Sequence, residues 1–147
     1  MQFLKRKVQE KKDEAIILQY TSWTESLEDI SNYILGKGKQ ITGYKENREM
    51  HQIKVADIFY FEAVGELVFA YTRNQVYEIK MRLYQVEENT RSDRMIRGSK
   101  SVIVNLKHIE SVRPALNGRL YAKMENGEEI LISRQYAKEV MKNIMTL

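Results

Sequence analysis

The chain has no cysteine, one proline and only two histidines in 147 residues. Without cysteine there is no disulfide, no thiolate nucleophile and no cysteine zinc site. His51 and His108 lie far apart and lack metal-ligand spacing, so no metal site is expected. Long apolar runs are missing too. None approaches the roughly 18 residues that span a bilayer, and the N-terminal "MQFLKRKVQEKKDE" has no apolar stretch after its charges, so a cytoplasmic location is expected. Phosphate cradles are absent, because neither "LGKGKQ" nor "ENGEE" has a nucleotide-loop spacing between a strand and a helix. Glu87-Glu88 and Glu128-Glu129 are adjacent pairs whose side chains point apart and cannot share a proton. Ser99 and Ser101 have no base nearby except Lys100, which would face the other side of a strand. No catalytic residue, cofactor or small-molecule substrate is expected, and an enzyme is disfavoured.

What is present suits one domain with one core, since 43% of the residues are hydrophobic and evenly spread. The net charge of +4 is unevenly placed. Residues 1 to 12 carry Lys5, Arg6, Lys7, Lys11 and Lys12 against Glu10 alone. Residues 13 to 90 are net acidic, and cations again outnumber acids between residues 97 and 138. That segregation fits a polyanion-binding face as well as an uneven solvated surface.

Residues 15 to 20, "AIILQY", read as a buried strand. "SWTESLEDISNYILGKGK" follows as a helix, with Ser22 and Glu25 at capping-box spacing, Leu27, Ile30 and Ile34 on one face, Tyr33 and Leu35 widening it, and Gly36 and Gly38 ending it. From Gln40 onward, short β-type runs alternate with turn signals: "QITGY", "MHQIKVADIFYFEA", "ELVFAYT", "QVYEIKM", "SVIVNLKHI", "RLYAKM" and "EEILIS". Arg73-Asn74, Asn117-Gly118 and Asn126-Gly127 supply the turns. "RLYQVEENT" spaces Leu83 and Val86 as a short helix covering the sheet, and "SRQYAKEVMKNIM" puts Tyr136, Val140 and Ile144 on one helical face. Pro114 is expected to end or edge a strand, and the alternating Tyr60, Phe61, Phe69 and Tyr71 to be core.

Four stretches in order, "DIFYFEAVGELVFAYT", "YEIKMRLYQVEE", "MIRGSKSVIVNLKHIESVRP" and "NGRLYAKMENGEEILISRQYAKEV", resemble the successive signatures of a LytTR-type DNA-binding domain. The match runs from about Gln40 to Met145 and is similar in particular to stand-alone LytTR transcriptional regulators without a receiver domain. The resemblance implies a mainly β fold with accessory helices (α+β), an elongated antiparallel β-sheet structure independent of the helix-turn-helix. It implies loops entering successive major grooves of double-stranded DNA at paired promoter repeats, a homodimer on DNA, and a small membrane-protein inhibitor as a partner of such regulators. Carried onto this chain, the loop before "VIVN" supplies DNA contacts at Arg97, Ser99 and Lys100, and the "ISRQY" turn supplies a base-reading arginine, Arg134. A third contact region after Glu62 reads "AVGEL", so Gly65 and Glu66 stand where relatives often place a polar or basic reader. Gly98, Ser99 and Lys100 likewise replace a commoner pattern of an apolar residue, histidine and arginine.

Physical reasoning adds to that transfer. Arg134 follows a candidate N-cap, Ser133, in a first helical turn where the macrodipole disfavours cations, so another demand holds it there. Base reading is one such demand, and a salt bridge to Glu128 or Glu129 is the other. Arg97 and Lys100 can project from their loop or rim a solvated hairpin. Arg113, Arg119 and Lys123 fit phosphate or solvent rather than base edges, and Asn105 fits a structural bond to a neighbouring turn. The expected organisation is a strand-helix lead-in over residues 1–39, a self-association element, and a LytTR domain over 40–147. Two alternatives stay open: an RNA or single-strand-binding β module, and an interaction module tethered to an acidic partner by the basic N-terminus.

Overall fold

The computed structural model describes residues 4–34 and 38–145, with Ser92 described by its backbone. From residue 40 onward the chain forms ten strands in two antiparallel sheets. The larger sheet contains β1 (Gln40–Tyr44), β2 (Met50–Lys54), β3 (Tyr60–Val64), β4 (Leu67–Tyr71), β5 (Val76–Ile79), β6 (Met95–Arg97) and β7 (Val102–Asn105), in the order β2-β1-β5-β4-β3-β7-β6. The smaller contains β8 (Ile109–Pro114), β9 (Leu120–Met124) and β10 (Glu129–Ile132), in the order β10-β9-β8. Helix α1 (Glu25–Ile34) precedes the sheets, α2 (Leu83–Asn89) connects β5 to β6, and α3 (Arg134–Met145) follows β10.

Both faces of the central strands are covered, which explains the consecutive apolar residues Val102, Ile103 and Val104. Strand side chains alternate between faces, so a strand buried on both sides is apolar throughout. All four residues of β7 are buried. Ile103 joins Phe61, Val68 and Ile79 in a core covered by Leu83 and Val86 of α2. Val102 and Val104 point the other way, into a second core with Phe59, Met124 and Ile132, closed by Ala137 and Val140 of α3. Tyr136 and Ile144 pack against the same core. The expected single core is therefore two, one on each side of the larger sheet.

Several local expectations hold for identifiable reasons. Pro114 ends the edge strand β8, where its missing N–H removes no central ladder bond. Asn105 is fully buried; its amide donates to the Ile58 carbonyl at 2.8 Å and its side-chain oxygen accepts from the Lys107 N–H at 3.0 Å. Of the four aromatics expected in the core, Tyr60 and Phe61 are buried and Phe69 and Tyr71 half-buried; Tyr60 stacks on Tyr71 with ring centroids 4.4 Å apart. The Tyr60 hydroxyl donates to Glu128. Burial first, and then that carboxylate, push the Tyr60 phenol above its ordinary range. Burial also raises the Tyr71 phenol, with Glu62 and Glu128 adding to it.

The lead-in departs from expectation. Residues 15 to 20 form no strand; Ile16 and Ile17 are 71% and 77% exposed. A strand exists only by pairing with a neighbour, and no strand among the described residues pairs with this stretch. The helix is present, but Thr24, not Ser22, caps it: Thr24 Oγ1 accepts from the Leu27 N–H at 3.3 Å, with Glu25 as the first helical residue. Its apolar side chains Ile30, Tyr33 and Ile34 are exposed, and Leu35 and Gly36 lie outside the described residues.

Candidate nucleic-acid interface

The strand registers bring three separate segments to one end of the molecule. β3 and β4 are joined by Gly65 and Glu66, with Val64 paired to Leu67. Gly65 takes φ 61, the left-handed conformation a two-residue hairpin turn requires and glycine adopts without strain. β3 pairs antiparallel with β7, Glu62 opposite Val102, and the Ala63 N–H donates to the Ser101 carbonyl at 2.8 Å. Loop 98–101 therefore sits beside the β3–β4 turn. On its other side the Ser133 N–H donates to the Gly98 carbonyl at 2.8 Å, which brings in the start of α3. The approach is close: a Cβ on Gly98 would lie 2.8 Å from Ile132 Cδ1, so a larger residue there would have to push that methyl aside.

The candidate residues behave differently within this edge. Lys100 is exposed and makes no hydrogen bond or ion pair through its amine among the described residues. Ser99 is half-buried; its hydroxyl accepts from the Ser101 N–H at 3.2 Å and so shapes the loop. Arg134 is the first residue of α3 and exposed. Its side chain lies over the turn at Gly118, with Cγ 3.2 Å from where a Cβ of that residue would be. The salt bridge to Glu128 or Glu129 is not formed. Glu129 is held by Arg113 Nη2, at 3.0 Å to each carboxylate oxygen, and Glu128 accepts from Tyr60. Arg134 thus presents its charge without an acidic partner among the described residues.

Three of the expected contact residues are occupied. Arg97 Nε donates to Glu87 at 2.6 Å, and Nη1 donates to the Lys100 carbonyl at 2.7 Å. Its guanidinium is turned inward because an acid from α2 and the loop's own carbonyls satisfy it there. Arg113, besides holding Glu129, stacks over the Tyr121 ring at 4.2 Å. Arg119 Nε donates to the Leu116 carbonyl at 2.9 Å, bracing the turn beneath Arg134. Glu66 is exposed at the hairpin tip and lines a shallow cleft with Lys80, Arg82 and Gln85.

Other cations at this end carry a signal that sequence reasoning passed over. Lys138 and Lys142 follow Arg134 at four-residue intervals, the spacing of one helical face, and both are exposed. Arg82, between β5 and α2, is exposed as well. The edge therefore combines loop backbone, one arginine aimed outward from a helix start and additional lysines. Such an arrangement can neutralise phosphates and offer a planar donor fork to a base edge.

Comparison with known proteins bears on the family and the fold. The family model described as the LytTr DNA-binding domain matches residues 48–145. An uncharacterised HTH-type transcriptional regulator of Staphylococcus aureus strain NCTC 8325 is 33% identical over 110 residues, covering 75% of this chain and 74% of that protein. The corresponding protein of strain MRSA252 is 32% identical over the same length. A solved LytTr DNA-binding domain from Bacillus cereus superposes with a TM-score of 0.67 at 25% identity, covering 73% of this chain and 98% of that one. Although the staphylococcal relatives are named for a helix-turn-helix, no two α-helices among the described residues of this chain are joined by a short turn. By the matched residues and by its fold, the chain belongs to the LytTR family of DNA-binding domains.

Proposed function

We propose that this protein is a non-enzymatic transcriptional regulator that binds double-stranded DNA sequence-specifically, presenting loop 98–101 and the start of α3 to the major groove at paired repeats. The observation that carries the reading is the joining of those two segments by the Ser133–Gly98 hydrogen bond at 2.8 Å, with Lys100 and Arg134 both left without acidic partners. Arg134 is the base reader and Lys100 a phosphate or base-edge contact, while Arg113 and Arg119 brace the structure behind them. Tyr60 and Phe61 are buried and unavailable as stacking platforms, which favours a duplex over single strands.

The lead-in is the self-association element. Trp23 is 46% exposed, Ile30 38% and Tyr33 74%. The basic residues 5 to 12 and the acidic Glu25, Glu28 and Asp29 give the segment opposite charges at its two ends, so a second copy laid antiparallel is complementary to it.

Selection of duplexes from a random pool tests the main reading. Enrichment of a repeated motif, with weaker binding to the corresponding single strands and RNA, is expected; equal binding to single strands would overturn it. The sole tryptophan, Trp23, tests the association. Its emission should shift to the blue with rising protein concentration, in step with a doubling of sedimentation mass. A constant emission and a monomer mass would sink that part.

A further inference from the structure

Arg97 stands at the end of β6 in the position expected of a DNA contact, yet its side chain is only 19% exposed. It meets Glu87 of α2 through Nε at 2.6 Å, and two successive loop carbonyls through Nη1, Lys100 at 2.7 Å and Ser99 at 3.4 Å. Three acceptors from two separate elements converge on one planar fork. Lysine, with a single point charge on a flexible stem, cannot reproduce that arrangement. The carbonyls of the loop are thereby drawn inward instead of facing a polyanion.

The loop is fixed at its other points by backbone alone. The Gly98 N–H donates to the Val102 carbonyl at 2.9 Å, and the Gly98 carbonyl accepts from Ser133. Those bonds hold its base, together with the Ser99 N–H on the Val102 carbonyl at 3.3 Å and the Ala63 N–H on the Ser101 carbonyl at 2.8 Å; among side chains, Arg97 and the Ser99 hydroxyl hold its tip. Because Ser133 immediately precedes Arg134, the chain of contacts runs from Glu87 through Arg97 and loop 98–101 to the start of α3.

We propose that Arg97, anchored by Glu87, is a positioning residue that sets the register between Lys100 and Arg134, and that it does not itself touch DNA. The inference rests on the reading above that loop 98–101 meets the duplex. Arg97 acts by preorganisation: with the loop tip held before binding, no ordering cost is incurred on the duplex. Loss of Arg97 leaves the number of phosphate contacts unchanged but spreads the loop over conformations that do not fit.

The test is fluorescence anisotropy of the full chain on its selected duplex and on a random duplex, each over a salt series. Arg97→Ala should weaken selected-duplex binding about tenfold, with an unchanged salt slope and unchanged random-duplex binding. Lys100→Ala should lower the slope by about 0.9, as one lost phosphate contact does. The double variant should lose less than the product of the two single losses, since without Arg97 the Lys100 contact is kept only by ordering the loop on the duplex, and removing Lys100 removes that ordering cost too. Glu87→Gln, which keeps an acceptor while removing the charge, should reproduce part of the Arg97→Ala loss in a protein of unchanged fold, and Arg97→Lys, which keeps the charge but not the planar fork, should lose nearly as much affinity as Arg97→Ala. A reduced salt slope in Arg97→Ala with multiplicative losses in the double variant would make Arg97 a phosphate contact and overturn the proposal. Unchanged selected-duplex binding in Arg97→Ala would overturn it as well. If instead Lys100→Ala and Ser99→Ala both leave affinity and slope unchanged, the reading of this loop as a duplex contact falls, and the positioning role falls with it.

Discussion

Replacing Arg134 with alanine separates binding from stability in a way few substitutions do. Arg134 is the first residue of α3, where a cation opposes the helix dipole by about 0.3–1 kcal/mol at low ionic strength. It has no acidic partner to lose, because Glu129 is committed to Arg113 and Glu128 to Tyr60. The packing lost is the aliphatic stem over the Gly118 turn, an exposed contact that roughly offsets the relief at the helix end. The melting temperature should therefore move by no more than about 2–3 °C in either direction. Binding should respond far more strongly. A bidentate arginine–guanine contact contributes roughly 1–3 kcal/mol of discrimination, so affinity for the selected duplex should fall roughly 5- to 150-fold. The assay is anisotropy against the selected duplex and a panel in which each base pair is changed in turn. Arg134→Ala should erase the cost of changing one base pair and leave the others as they were. A loss equal on every duplex, with the salt slope reduced by about 0.9, would make Arg134 a phosphate contact and refute base reading.

Four further substitutions test neighbouring parts of the account. Asn105→Leu leaves the buried Ile58 carbonyl unpaired and removes the cap on the part-buried Lys107 N–H, so stability should fall by about 1–3 kcal/mol, seen as a lower urea midpoint with an unchanged m-value. Tyr60→Phe keeps the stack on Tyr71 but removes the bond to the exposed Glu128, which should cost about 1 kcal/mol at neutral pH. Tyr60 and Tyr71 have phenols raised in the folded state, so the unfolded chain ionises first. Their contribution is complete below about pH 10, the ordinary phenol value, and declines as pH rises above it. Urea midpoints at pH 8 and 11 should therefore fall less in Tyr60→Phe than in the parent. Lys138→Ala and Lys142→Ala should each reduce the salt slope of DNA binding by about 0.9 without altering the base preference, and an unchanged slope would remove that face of α3 from the interface.

The sequence made the sheet legible where burial leaves a pattern. Val102, Ile103 and Val104 are a consecutive apolar run because β7 is covered on both faces, and Leu83 with Val86, or Tyr136 with Val140 and Ile144, show helical spacing because one face of each helix is buried. Elements that depend on a distant neighbour were not legible. "AIILQY" has a strand's composition, yet strandness is a property of pairs and no strand among the described residues pairs with it. β6 went unrecognised for the converse reason: Met95, Ile96 and Arg97 become a strand by pairing with Asn105, Val104 and Ile103. The candidate site divides the same way. The motif led to Arg97 and Lys100 alike, but only the fold brings Glu87 to Arg97 and turns that guanidinium inward, while Lys100 stays exposed. The four-residue spacing of Arg134, Lys138 and Lys142 is present in the sequence, but the motif there points to Arg134 alone.

The central claim is that one end of the molecule, formed by the β3–β4 turn, loop 98–101 and the start of α3, receives the duplex. Amide chemical shifts on titration with a selected duplex test it most directly. The account predicts that the largest changes fall at residues 65–66, 98–101, 117–119 and 133–138, while the turns at 45–49 and 72–75, at the opposite ends of the same strands, stay unmoved. Largest changes at those opposite turns, or confined to the basic residues 5–12, would contradict it.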